Sequence, residues 1–418
     1  MTAPQPTSDP SRAGGSSLPP AAEAVVRRRR VETRQRRLTW WGAGMTVLFL
    51  GLLGGLVVVG YQASLRIGGG TEQRVTDASA PGYVATPRPS VTDLYVVTDP
   101  DGNFASALLV VPDESGQGGT VVPMSPSFIL PEQQGAPPVS LKDVFAAGGV
   151  DALRQQLGIA LGVRIDSAET VPAEAVSSLA GTEPVEITGV DNLTSVDEDG
   201  NEELRYPSGT LSLAPDEVAT FLAFEGKDDP VPNQVLRAQA VWEELLARAA
   251  AAPVGDLPAG EQAEGSEGPV FSEAIGSLAG GDVRFDAVPM AKVPVPGTYF
   301  VAWMPDGENL DDFVARVVPL PTSPVPGQRT PVAVMNGSSD PGATAAAVPA
   351  VVRSGGEVVL VGNADSFDVA VTTVEYADDA SAGTAERIAT ELGVTAIPAE
   401  GSIEGASVRV VLGADQAP

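Results

Sequence analysis

The stretch TWWGAGMTVLFLGLLGGLVVVGY, residues 39–61, carries no charged side chain and decides how the rest of the chain is organised. A helix of about 20 apolar residues is long enough to cross the hydrocarbon core of a bilayer. Trp40 and Trp41 lie at one end and Tyr61 at the other, where amphipathic rings favour the membrane interface. The pattern predicts a single transmembrane helix over residues 39–61.

Basic residues gather on one side of this stretch, where four arginines at 27–30 are followed by Arg34, Arg36 and Arg37. Positive residues beside a spanning helix are retained in the cytoplasm. We therefore expect a plasma-membrane protein with a cytoplasmic N-terminus and an extracytoplasmic C-terminus. Two alternatives stay open: a cleaved signal peptide, although its apolar core is usually shorter, and a buried helix of a soluble domain.

Cysteine and histidine are both missing from the sequence. Without cysteine there is no disulfide, no thiolate nucleophile and no zinc–thiolate site. Without histidine the usual general base and the commonest metal ligand are missing as well. An enzyme built from this chain would have to work through Asp, Glu, Arg, Lys or Ser.

The net charge of −29 is divided unevenly along the chain. Residues before position 62 include 8 basic and 3 acidic side chains, which leaves 17 basic and 51 acidic, a balance of −34, for the rest. A field of that sign repels nucleic acid and other polyanions. We expect no nucleic-acid partner for the part of the chain beyond the apolar stretch.

Hydrophobic periodicity predicts α/β structure beyond the apolar stretch. Strands are predicted at 93–97, 107–111 and 120–124, and helices at 141–161, 214–224 and 231–251. After a proline-rich segment, strands and helices alternate to the end of the chain, which is typical of a small α/β sandwich. The predicted organisation is a disordered basic tail at 1–38, the transmembrane helix at 39–61, a flexible stalk at 62–90, a first domain at 91–320, a linker at 321–330 and a C-terminal domain at 331–415.

The C-terminal domain carries a set of motifs in a fixed order. They are VAVMNGSSDPGAT at 332–344, VGNADSF at 361–367, TTVEYADD at 372–379 and VVLGAD at 410–415. With these motifs, residues 331–415 resemble the LytR C-terminal domain of actinobacterial cell-envelope proteins. The resemblance implies an extracytoplasmic α/β module.

The first domain has a second set of ordered segments. They are VVPMSPSFIL at 121–130, FAAGGVDALRQQLGIALGV at 145–163, YPSGTLSLAPDEVATFLAF at 206–224, VLRAQAVWEELL at 235–246 and VRFDAVP at 283–289. With these segments in this order, the domain resembles the LytR-CpsA-Psr (LCP) family. Members of that family transfer a glycopolymer from a polyprenyl-pyrophosphate carrier to peptidoglycan. The resemblance implies arginines that grip the pyrophosphate and carboxylates that bind magnesium.

This chain departs from the family where the family performs its chemistry. The Pro-Arg-Asp positions of the family fall on Pro123, Met124 and Ser125 of this chain. The Arg-x-Arg positions of the family fall on Ala223, Phe224 and Glu225. A further arginine position falls near Gln234, and the aspartate of an Asp-Thr pair falls near Ser106. Losing these arginines and gaining a glutamate makes the site more negative, which opposes phosphate binding.

Four residues remain as candidates for contact with a ligand. Arg237 and Gln239 match the last arginine cluster and are candidates for a residual phosphate or polymer contact. The favoured alternative for Arg237 is a surface or helix-capping charge. Asp99 and Asp101 are weak candidates for metal ligands. No cofactor is expected, and magnesium enters only if the domain is an active phosphotransferase.

These observations lead to one functional expectation and one alternative. We expect a membrane-anchored, non-catalytic LCP-like binding or scaffold protein of wall glycopolymer assembly. Its expected partners are a cell-wall glycopolymer, a polyprenyl-linked precursor or other envelope proteins. The alternative is an active phosphotransferase with a rearranged site.

Overall fold

The computed structural model describes residues 75–132, 137–197, 199–251, 254–255, 257–294 and 301–416. The predicted tail, the predicted transmembrane helix and the first part of the predicted stalk lie outside these residues. Within the part that the structure describes, no helix is both long and apolar enough to cross a membrane.

The first domain follows a short strand, β1, and contains most of the chain's strands and helices. Strand β1 is Val84–Ala85. The strands of the domain itself are β2 (Asp93–Thr98), β3 (Phe104–Pro112), β4 (Gly119–Met124), β5 (Ile129–Leu130), β6 (Val139–Ser140), β7 (Ser167–Val171), β8 (Val185–Val190), β9 (Leu193–Val196), β10 (Glu202–Tyr206), β11 (Gly209–Leu213), β12 (Val283–Phe285), β13 (Met290–Pro294) and β14 (Val301–Pro305). Its helices are α1 (Leu141–Leu161), α2 (Ala173–Ala180), α3 (Val218–Ala223), α4 (Val231–Ala251), α5 (Phe271–Ala279) and α6 (Leu310–Val317).

A mixed five-stranded sheet, in the order β12-β4-β3-β2-β7, forms the centre of this domain. Strands β2, β3 and β4 are buried on both faces, which explains why they appear in the sequence as largely apolar runs. Because side chains alternate along a strand, Tyr95 and Val97 point into one core, and Leu94 and Val96 into the other. Helices α2 to α5 cover the first face, and α1 and α6 cover the second.

Helix α1 is interrupted in its middle by two glycines. It begins at Ser140, whose hydroxyl accepts a hydrogen bond from the Asp143 amide at 3.2 Å. Gly148 and Gly149 then leave helical geometry, with φ of −152° and +65°. The sequence predicts one continuous helix, whereas the chain forms two segments, because Gly149 adopts a positive φ that costs other residues more than glycine.

The C-terminal domain is a six-stranded sheet with two helices packed against it. Its strands are β15 (Thr330–Asn336), β16 (Gly356–Asn363), β17 (Thr373–Tyr376), β18 (Ala396–Pro398) and β19 (Val408–Leu412), and its helices are α7 (Ala343–Arg353) and α8 (Asp379–Glu391). The strand order is β1-β16-β15-β19-β17-β18. Strand β1 comes from the stretch predicted as a flexible stalk, so that prediction does not describe residues 84–85.

Two further differences separate the prediction from the structure. Helix α5 lies in a stretch that was left unassigned, although its buried Phe271, Ile275 and Leu278 follow helical spacing. No strand is predicted near residue 262 either, yet Gln262 forms an isolated β-bridge with Glu169 of β7, an edge strand of the sheet. In both cases glycine- and glutamate-rich neighbours hide short ordered segments from pattern analysis.

Candidate functional site

The candidate site lies where helix α4 begins, beside the end of strand β4. Gln234 and Arg237 are three residues apart on α4 and therefore share one face of the helix. That face is turned inward, and Gln234 and Arg237 are only 5% and 7% exposed. Further along the helix, Val241 and Trp242 anchor it in the core.

The guanidinium of Arg237 is held by groups of the protein itself through both of its Nη atoms, whereas its buried Nε has no hydrogen-bond partner in the structure. Its Nη1 lies 2.6 Å from Oδ2 of Asp229, and its Nη2 donates to the carbonyl of Phe224 at 2.8 Å. The guanidinium also lies over the Phe221 ring, 5.6 Å from its centroid. Asp229 is itself buried, with a side chain that is 3% exposed. The one positive charge that the family pattern retains is thus already neutralised.

The loop that supplies Asp229 is held in an unusual conformation. Asp228 has a φ of +58°, a left-handed geometry that asparagine and aspartate tolerate better than other side chains. The Asp229 carbonyl accepts a hydrogen bond from Gln234 Nε2 at 2.9 Å, and the Lys227 amide donates to the Thr194 carbonyl at 2.7 Å. These contacts fix the turn that points the Asp229 carboxylate at Arg237.

A second ion pair lies on the rim of the site. Lys142, in the first turn of α1, is 2.6 Å from the Glu225 carboxylate, and the two side chains are 45% and 31% exposed. Glu225 is the residue that the sequence resemblance aligns with an arginine position. The rim cation at this point is therefore engaged by a carboxylate of the same chain.

The end of β4 offers little to a phosphate. Met124 is fully buried in the apolar core. The Ser106 hydroxyl donates to the Met124 carbonyl at 3.0 Å. Ser125 is 2% exposed, and its Oγ has no hydrogen-bond partner in the structure. Neither a methionine nor a lone hydroxyl can replace a guanidinium fork.

A cavity of about 290 Å³ opens beside the Arg237–Asp229 pair. Its other lining residues are Thr188, Asp191, Leu193, Asn233, Leu236 and Ala240. Two carboxylates and one paired guanidinium give this cavity a negative balance. A larger cleft of about 990 Å³ lies elsewhere, along α1 and the segment at 264–268, and contains none of the candidate residues.

The remaining predicted site residues are not brought to this place. Gln239 faces solvent, where its Nε2 donates to Glu243 Oε1 at 2.7 Å. Asp99 closes the tip of the β2–β3 hairpin by accepting hydrogen bonds from the amides of Asp101 and Asn103, at 2.9 and 2.8 Å. Gln239 is therefore not part of the Arg237 site.

The residues present do not fit the magnesium ion that an active family member would carry. The Asp99 carboxylate is engaged by backbone amides of its own turn, and Ser106 by a carbonyl. Across the described segments of the chain, no group of three or more acidic, histidine or cysteine residues is arranged to hold a metal. We derive no chemical step through such an ion.

Sequence reasoning missed Asp229 and Lys142, the two partners that neutralise this site. Asp229 lies in a polar stretch where periodicity carries no information, and Lys142 lies in the predicted helix at 141–161, where periodicity does not show the partner of a polar side chain. The one available indication for Asp229 was the acidic pair at 228–229 just before the first turn of a helix that carries a buried arginine. A carboxylate at that place is favoured by the helix dipole.

Comparison with solved structures finds proteins of the LCP family. B. subtilis TagV shares 12% identity over 55% of this chain and 96% of its own, with a TM-score of 0.39. B. subtilis TagT shares 12% identity over 59% of this chain and 96% of its own, with a TM-score of 0.39. The LytR-CPS2A-psr family protein YwtF (TagT) with bound octaprenyl pyrophosphate lipid shares 11% identity over 55% and 89%, with a TM-score of 0.38. Values this low do not assign a function.

Sequence comparison gives a firmer result for the C-terminal domain. No curated protein matches the chain significantly. Residues 329–415, however, match a family model described as the LytR cell envelope-related transcriptional attenuator, which confirms the LytR C-terminal domain predicted at 331–415. Residues 329–415, the C-terminal domain of this chain, therefore belong to the LytR C-terminal family.

Proposed function

We propose that this chain is a membrane-anchored cell-envelope protein that binds or organises components of wall glycopolymer assembly without catalysing phosphoryl transfer. The expected anchor is the apolar stretch at 39–61, with the N-terminus in the cytoplasm and the two domains outside. The candidate partners are a wall glycopolymer, a polyprenyl-linked precursor or other envelope proteins.

The buried Arg237–Asp229 pair is the observation that carries this proposal. Phosphoryl transfer needs cationic groups that are free to stabilise charge as it builds on the transferring phosphate. Arg237 donates instead to Asp229 and to the Phe224 carbonyl, so a phosphate would have to displace a carboxylate from a site with little access to water. Removing one partner of such a buried pair is costly.

The other family positions reinforce this interpretation. Met124 and Ala223 have no donor to offer, and Glu225 adds a negative charge at the rim. Each missing charge-assisted hydrogen bond would have contributed about 1.5–3 kcal/mol to phosphate binding. Three such losses support a role without phosphoryl transfer.

Calorimetry of the full-length chain with geranyl pyrophosphate and magnesium tests the proposal. We expect no measurable heat of binding for the natural sequence and none after Met124→Arg alone, because Arg237 stays paired. A transfer assay with labelled polymer should likewise give no product.

Gln239→Ala is the matched control, since Gln239 lies two residues from Arg237 but donates its side-chain hydrogen bond to Glu243. Micromolar, magnesium-dependent binding that is lost in Arg237→Ala and kept in Gln239→Ala would reject the proposal. That result would establish the alternative, an active phosphotransferase.

A further inference from the structure

The segment between α6 and β15 contacts both domains along its length. It was predicted as a linker at 321–330 on the basis of its prolines. In the structure the Arg164 amide of the first domain donates to the Thr322 carbonyl at 2.8 Å. One residue later, the Ser323 amide donates to Glu357 Oε2 of the C-terminal domain at 3.1 Å. The segment is thus fixed to both of its neighbours.

Arg329, at the end of this segment, is 4% exposed and binds carbonyl groups of both domains. Its Nε donates to the Gly162 carbonyl of the first domain at 2.6 Å. Its Nη1 donates to the carbonyls of Val352 and Gly356 in the C-terminal domain, each at 3.2 Å. Gly162 terminates α1, and Val352 lies in the last turn of α7.

The guanidinium therefore lies at the carboxyl ends of two helices, one from each domain. The last carbonyls of a helix have no partner within it, and the helix dipole makes that end negative. One planar cation satisfies both ends, which the point charge of a lysine could not do with the same geometry. Burial lowers the pKa of Arg329 and the charges of Asp311 and Glu357 raise it, and an arginine remains charged throughout.

Packing around Arg329 joins the two domains through apolar contacts as well. Val352 of α7 is fully buried in the same core as Phe313 and Val314 of α6. At the rim, Arg353 lies 3.6 Å from the Asp312 carboxylate. An apolar contact with a charged rim is the usual anatomy of a stable interface.

We propose that Arg329 is an interdomain clasp that makes the first domain and the C-terminal domain unfold as one cooperative unit. The C-terminal domain is then held at the end of α1, the helix whose first turn carries Lys142 at the candidate site. A partner that touches both domains meets a preformed surface and loses no entropy in aligning them.

Hydrogen exchange of the full-length chain in detergent micelles tests the clasp. In the natural sequence, the slow amides of β15 should exchange together with those of β2 and β3. Arg329→Met should accelerate exchange in β15 at least about tenfold, since each loss of about 1.4 kcal/mol in opening energy is one factor of ten. Amides of β2 and β3 should change less than those of β15.

Arg353→Met is the matched control, because Arg353 also joins the domains but is a third exposed: it lies 3.6 Å from Asp312 of α6 and 2.8 Å from Glu391 of α8. Its effect on β15 should stay within about fivefold, as expected of a surface ion pair. Arg329→Lys keeps the charge and should fall between Arg329→Met and the natural sequence. The clasp is refuted if the natural chain shows two separate calorimetric transitions, or if exchange in β15 is unchanged by Arg329→Met. If Arg329→Met fails to fold, the calorimetric scan of the natural sequence and hydrogen exchange in Arg329→Lys test the clasp instead.

Discussion

Replacing Asp229 by alanine should be among the most damaging single changes in the first domain. The substitution leaves the Arg237 guanidinium, 7% exposed, without its carboxylate in the core. Breaking a buried ion pair by removing one partner typically costs about 3–5 kcal/mol, because a charge is left without compensation. The Phe224 carbonyl at 2.8 Å still accepts one bond from Arg237, so we expect the lower half of that range.

Urea unfolding followed by circular dichroism gives the free energy directly. Glu225→Ala is the control, because it removes a carboxylate from the same loop. The ion pair of Glu225 with Lys142 is largely exposed. That change should cost about 0–1 kcal/mol. A double variant with Asp229→Leu and Arg237→Met should recover most of the stability lost in Asp229→Ala, since apolar replacements of buried pairs are often neutral or stabilising.

The same variant connects stability to function. Without Asp229, the guanidinium of Arg237 becomes the natural partner of any anion that enters the adjacent cavity. Inorganic pyrophosphate should therefore raise the unfolding midpoint of Asp229→Ala and leave that of the natural sequence unchanged. An Asp229→Ala variant that loses less than about 1 kcal/mol would refute the reasoning, because such a loss is typical of exposed pairs.

Three further predictions concern other parts of the chain. Burial raises the pKa of Asp93 from 3.8 to about 6, despite the hydrogen bond from Ser167. The folded state therefore holds this proton more tightly than the unfolded state does. As a result, the free energy of unfolding should fall as the pH rises from about 4 to above 6. Asp93→Asn should remove this slope and raise stability at pH 7 by about 3 kcal/mol, as measured by urea titration across that range. Gly268→Ala should lower the melting temperature of the domain, because the new Cβ would clash with the Ser167 hydroxyl and the Asp93 carboxylate. Gly276→Ala is the control and should not lower it, because the space around Gly276 is open. A reporter fused after the last residue should give an extracytoplasmic signal and one fused before Thr39 a cytoplasmic signal, and the reverse pattern would reject the predicted orientation.

The elements that follow a hydrophobic period could be predicted from the sequence. Helix α4 was predicted at 231–251 and has these bounds, because Val235, Val241, Trp242 and Leu245 repeat at helical spacing. Strands β2 to β4 were predictable for a related reason, since burial on both faces requires unbroken apolar runs.

The partners of polar residues could not be predicted in the same way. Nothing in the periodicity of residues 225–230 shows that Asp229 turns inward to meet Arg237. Arg329 lies in a proline-rich stretch, and its targets are backbone carbonyls, which have no sequence signature. Strand β1 has two residues and pairs with β16, more than 270 positions away by sequence number. Long-range polar and backbone contacts of this kind are fixed by the assembled fold.

Strand β1 has a mechanical consequence for a chain that is pulled from its N-terminal side. Tension applied at residue 75 passes first into the bonds from the Asn363 side chain to the carbonyls of Ala78 and Ala80, at 2.9 and 2.8 Å. It then reaches the pairing of β1 with β16, beside which the Asn363 amide donates to the Tyr83 carbonyl at 2.8 Å. The C-terminal domain, although last in sequence, would thus meet the force before the five-stranded sheet does. Because Gly362 lies so close to the Tyr83 carbonyl that no Cβ fits between them, this junction closes tightly and should yield as a distinct early step when the chain is stretched.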